Sequence, residues 1–170
     1  MDLQKQLEKV HSKQNAILIA EYVDDDPHRF MQLMKLFFHD EYRIAQRAAH
    51  SVSHCVDRHP ELLKPHIKTM IKHLETNPKV AIRRNTVRVL QNQEIPEECQ
   101  GLLVEKCFEY LTSAKETVAV KAFSMTILYH MTKIYPELKN EVIMVINDSL
   151  INATAGVKSR GKKIIALLEK

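Results

Sequence analysis

Apolar side chains recur along this chain three or four residues apart, and no stretch of useful length alternates apolar with polar. Read from caps and prolines, the pattern predicts an all-α protein with helices over 2–22, 27–38, 41–58, 60–75, 78–92, 96–112, 116–134, 137–150 and 155–169. Asp26-Pro27 and Asn77-Pro78 each offer an acceptor side chain at the N-cap followed by proline in the first turn, where the missing N–H costs nothing. Asp24 and Asp25 add negative charge at a helix start, so this acidic tract reads as a cap and not as a cation site. The connections left between these helices are short, which suits antiparallel hairpins.

The pattern itself repeats. Ile44-Ala45-Gln46-Arg47-Ala48, Ile82-Arg83-Arg84-Asn85-Thr86, Val120-Lys121-Ala122-Phe123-Ser124 and Val157-Lys158-Ser159-Arg160-Gly161 begin 38, 38 and 37 residues apart. A β-branched aliphatic leads each copy and a small residue stands fifth. Pro60-Glu61-Leu62 and Pro136-Glu137-Leu138 lie two periods apart. One helical hairpin cannot cover its own apolar face and must lay it against the next copy, so a fixed period of this length means stacked hairpins. Ala48, Thr86, Ser124 and Gly161 form a column where a larger side chain would hold paired helices apart. The turn Gln93-Glu94-Ile95-Pro96-Glu97 breaks the rhythm, with proline two residues early, and Val104, Cys107, Phe108 and Leu111 carry the apolar stripe on in shifted register.

These copies resemble the HEAT repeat, whose first helix carries an aliphatic, then a basic residue, then a small one three positions later. Ile82-Arg83, Val120-Lys121 and Val157-Lys158 match; Ile44-Ala45 departs, with Arg47 too far along to replace the missing cation. The resemblance covers residues 40–170, and the first 40 by analogy. It implies a right-handed α–α superhelix, a HEAT-like solenoid of about four and a half hairpins, and a basic residue that bonds across the stack. The expected organisation is a single domain over 1–170: an atypical N-terminal hairpin in 1–40, three hairpin repeats in 41–154, and a capping helix in 155–170.

Composition narrows the chemistry. Cys55, Cys99 and Cys107 are odd in number, form no C-x-x-C pair and sit in apolar helical context, which suggests reduced buried thiols. Apolar runs such as Val142 to Ile146 fall far below the roughly 18 residues of a membrane span, and the polar start does not look like a signal peptide, so a cytoplasmic location is expected. Gly101, Gly156 and Gly161 are the only glycines, and no phosphate-cradling loop can be written with them.

Candidate sites are few. His50 and His54 have metal-ligand spacing, with Cys55 and His59 near, but they share a face with Arg43 and Arg47 and read as solvated surface histidines; no metal is expected. His66 and His73, among Lys68 and Lys72, read as a solvated polar face. The net charge of +4 raises nucleic acid as a partner, with Arg84, Arg88, Arg160, Lys162 and Lys163 as exposed candidates. Small HEAT-like DNA alkylpurine glycosylases rely on tryptophan and a catalytic aspartate, and this chain has no tryptophan. Tyr110, Tyr129 and Tyr135 stand at core spacing. An all-α lyase of the adenylosuccinate lyase and fumarase type is several hundred residues long and carries a Ser- and Gly-rich mobile loop without counterpart here. The reading is therefore a protein with no catalysis and no cofactor: a protein–protein interaction scaffold, its contacts on the second-helix layer at Lys64, Lys68, Lys72, Glu105, Glu109 and Glu141.

Overall fold

In the computed structural model, which describes residues 1–170, every regular element is helical. In chain order they are α1 (Leu3–Lys9), α2 (Lys13–Val23), α3 (Pro27–Phe37), α4 (Tyr42–Arg58), a 3-10 segment (Pro60–His66), α5 (Ile67–His73), a short 3-10 turn (Leu74–Thr76), α6 (Val80–Leu90), α7 (Glu97–Thr112), α8 (Val118–Ile134), a 3-10 turn (Pro136–Leu138), α9 (Lys139–Leu150) and α10 (Ala155–Leu168). Even-numbered helices from α2 onward are the first helices of successive hairpins, and odd-numbered ones from α3 are the second.

Local chemistry explains most boundaries. Asp26 caps α3 by accepting from His28 N at 2.8 Å and Arg29 N at 3.2 Å, and these bonds hold its carboxyl below the usual carboxylate range. Three expectations fail for equally local reasons. The helix expected over 2–22 is two, because Val10 is extended and Ser12 starts α2 by accepting from Asn15 N at 3.1 Å. The stretch 60–75 begins as 3-10 because Pro65 lies inside it and supplies no N–H. Asn77 does not cap α6: at φ 49 it takes the left-handed conformation that asparagine tolerates and closes the turn before, its N–H donating to Leu74 O.

The chain divides into two compact units, Met1–Val89 and Leu90–Lys170. In the first, α2 and α3 both pack on α4, burying Ile19, Val23, Phe30, Leu33 and Phe37 against Ile44, Ala48, Val52 and Cys55. In the second, α7 and α10 pack on α8, and α10 also on α9. Leu103, Cys107, Val120, Leu128, Val142, Ile146, Val157 and Ile164 are the buried apolar residues there. The repeat columns are buried as the period predicts. Ile44, Ile82, Val120 and Val157 are each 3% exposed or less, Ala48, Thr86 and Ser124 are fully covered, and Gly161 is buried. A methyl group on Gly161 would come 2.6 Å from Leu150 Cδ2 and 3.2 Å from Ile146 Cγ2, so α10 and α9 meet there without room for a side chain.

Candidate interaction surface

The second helices carry the expected surface charges. In the first unit Lys64, Lys68 and Lys72 are exposed along the 3-10 segment and α5, above a floor of fully buried Leu63, Ile67, Met70, Ile71 and Leu74. The two histidines beside them are half-buried, where the sequence reading expected a solvated polar face. The His66 ring meets Phe30 edge-on at 5.5 Å and His73 meets Phe38 at 5.1 Å, and burial pushes both imidazoles below their ordinary value. These ring contacts join α3 to the 3-10 segment and the residue after α3 to α5, which periodicity in a single helix cannot reveal.

In the second unit Glu105, Glu109 and Glu141 are exposed on α7 and α9, which pack together, and Glu109 already holds Lys106 Nζ at 2.7 Å. The early proline has a structural consequence here. Ile95 is buried, and the 91–95 turn encloses, with the C-terminal end of α8, a recess of 370 Å³ whose lining includes Gln93, Gln100, His130, Met131 and Ile134. Gln100 is fixed in it: its Nε2 donates to Ile95 O at 2.8 Å, and its Oε1 accepts from Tyr135 Oη–H at 2.6 Å. Tyr135 is thus a bonding partner in the fold and Tyr110 a buried one, while Tyr129 lies under Lys133 Nζ at 4.5 Å. The irregular turn was visible in sequence; the recess was not.

The first helices bear the cations. No Asp or Glu occurs within α6, α8 or α10, which hold Arg83, Arg84, Arg88, Lys121, Lys133, Lys158, Arg160, Lys162 and Lys163. Arg84, Lys162 and Lys163 are exposed as expected. Arg88 and Arg160 are not simple exposed cations: both are half-buried and bonded within their own unit. Arg88 Nη2 lies 2.7 Å from Asp57 Oδ2 and its Nη1 3.4 Å from Ser53 O, and Arg160 Nη1 donates to Thr126 Oγ1 at 2.7 Å.

Bonds between hairpins also come from columns other than the one the resemblance implies. Arg83, the residue after the lead aliphatic, donates to Asn77 and Pro78 at the entry to its own helix. The residue three after the lead bridges hairpins in three of the four copies. Arg47 Nη1 donates to Leu7 O at 2.7 Å and Glu8 O at 3.0 Å, Asn85 Oδ1 accepts from Ser53 Oγ at 2.8 Å, and Arg160 reaches Thr126. Arg47 therefore serves the role denied it on spacing alone.

Burial pushes the Cys55 and Cys107 thiols up to about 12, too high for a nucleophile at neutral pH. His59 joins Asp24 at 3.2 Å and Glu61 at 3.5 Å, and Asp24 closes α2 at φ 50. His50 and His54 are half-buried and in ring contact at 5.1 Å, with His11 against His50 at 5.9 Å, which corrects their reading as solvated. No three or more His, Cys, Asp or Glu side chains are grouped to hold a metal ion. No helix is long and apolar enough to cross a membrane.

Neither the curated proteins nor the solved structures contain a match to this chain. A family model described as a HEAT repeat domain matches residues 3–168, which takes in the N-terminal hairpin as well as the copies from 41 onward. With its lead aliphatics and small residues buried in register from α4 to α10, the chain belongs to the HEAT repeat domain family.

Proposed function

We propose that the protein is a non-catalytic scaffold that binds another protein through its second-helix faces, at Lys64, Lys68 and Lys72 in one unit and Glu105, Glu109 and Glu141 in the other. HEAT repeats generally serve protein–protein association. The observation that carries the reading is the lysine row, exposed on a stretch whose apolar side is fully buried. Its backbone is ordered by the core before any partner arrives, so little conformational entropy is lost on docking. Partner capture from native extract by wild type and by Lys64→Glu with Lys72→Glu tests it, with melting curves showing that both are folded. Loss of specific partners from the reversed protein is the expected result. Identical recovery by both proteins excludes this face.

A second reading, nucleic acid along the first helices, is favoured by the absence of acid from α6, α8 and α10. Each phosphate contact would release about 0.9 counterion on duplex DNA. Because Arg88 and Arg160 are already engaged, fluorescence anisotropy with a duplex oligonucleotide should show weak binding, a log–log salt slope of about three or less, and loss near physiological salt. Submicromolar binding that survives at that salt and vanishes in Arg84→Glu with Arg88→Glu would reverse the ranking.

A further inference from the structure

Three histidines meet on the first-helix side of the first unit, away from the lysine row and unused by the function proposed above. His11 lies in the link between α1 and α2, and His50 and His54 stand one turn apart on α4. Their rings touch in series, His11 to His50 at 5.9 Å and His50 to His54 at 5.1 Å. Positive charge reaches His50 and His54 from α2 and α6, while α1, packed on α2 and α4, carries Lys5, Glu8 and Lys9. Lys13 at the start of α2 acts on His54, Arg84 of α6 acts on His50, and Arg88 of α6 acts on both. Asp57 acts on His54, and it is held by Arg88 at 2.7 Å. Arg84 itself is exposed.

We propose that His11, His50, His54 and Arg84 form a binding site for a dianionic tetrahedral oxyanion, a phosphoryl or sulfate group. Such an anion supplies what the face lacks. Its oxygens accept in several directions, which suits imidazoles arriving from two elements and a guanidinium fork from a third. A single carboxylate would offset one charge and present its acceptors in one plane. A metal dication is disfavoured by the same cations that favour the anion.

Proton linkage gives the site a signature. Burial first, and for His50 repulsion from His54, His11, Arg84 and Arg88 next, hold the imidazoles of His50 and His54 below 6.5, so they are neutral in the empty site at pH 7.5. A bound dianion favours their charged forms, so binding takes up protons, and affinity must rise as pH falls through and below 6.5. Sulfate remains dianionic throughout that range, so its pH dependence reports the protein.

The test is a sodium sulfate titration of the full chain at constant ionic strength at pH 5.5, 6.5 and 7.5, followed by the histidine ring resonances. Saturable shifts at His11, His50 and His54, but not at His66 or His73, are expected, with affinity about tenfold higher at pH 5.5 than at 7.5. Arg84→Gln should weaken binding about tenfold while the spectrum stays dispersed. Shifts shared with His66 and His73, affinity independent of pH, or an indifferent Arg84→Gln would overturn the proposal, as would saturable binding of Zn²⁺ by the three histidines. Inorganic phosphate and a phosphoserine peptide then separate the sources. Equal affinity assigns the site to the free ion, and tighter peptide binding assigns it to a phosphoryl group borne by a protein.

Discussion

At the scale of single residues, the small column decides how near the helices come. Ala48 and Ser124 have no exposed surface, so Ala48→Leu or Ser124→Leu must displace packed neighbours and should destabilise by about 1–3 kcal/mol in a thermal melt. A silent melt for either would refute the packing. Glycine supplies the contrast. Gly101, exposed within α7, has nothing within 4 Å of a built methyl, and Gly101→Ala should stabilise by about 0.5–1 kcal/mol through backbone entropy alone. Gly161→Val should destabilise, since Leu150 and Ile146 already occupy the space. The burial of this column was legible because period and residue size state it together. The Arg47 bridge was not, since its acceptors are carbonyls of residues some 40 positions away, and carbonyls leave no mark in sequence.

Among the elements, α1 is the one that periodicity merged with its neighbour. What separates the two helices also ties them together. Buried Asn15 donates from Nδ2 to Gln6 O and Val10 O, both at 3.0 Å, and accepts from Gln6 Nε2 at 2.6 Å. Asn15→Leu would leave two carbonyls without that partner and should cost about 1–3 kcal/mol. Amides of α1 should lose hydrogen-exchange protection first, and unchanged protection there would show that Leu3 and Leu7 hold α1 by apolar burial alone. Pro65 and Ser12 were both readable as breaks. They were outvoted by an apolar pattern that runs on across them, because side-chain period reports which face is buried and not whether the backbone bonds remain helical.

Over the whole molecule, histidines set the response to acid. His50, His54, His66, His73 and His130 are all held below their ordinary value, burial being the first cause in each. The unfolded chain, titrating near 6.5, therefore binds more protons than the folded one between that value and the lower folded values. Stability is full above about pH 7 and is lost as pH falls through 6.5 and on to the folded values. Melting temperature should drop between pH 7.5 and 5 at fixed ionic strength, and a flat profile would contradict the burial of these rings. The fold class, the number of hairpins and the register of Ile44, Ile82, Val120 and Val157 were determined by the sequence alone, because a hairpin that buries a face every 38 residues must repeat its apolar and small positions at that interval. Only the tertiary structure decided which polar residues face each other: His66 on Phe30, Arg88 on Asp57, His11 on His50, Gln100 between Ile95 and Tyr135. The reason is physical. Apolar burial is non-directional and needs only the right side of a helix, whereas a hydrogen bond, an ion pair or a ring contact needs a particular atom at a particular distance on another element, and that is set when the helices pack.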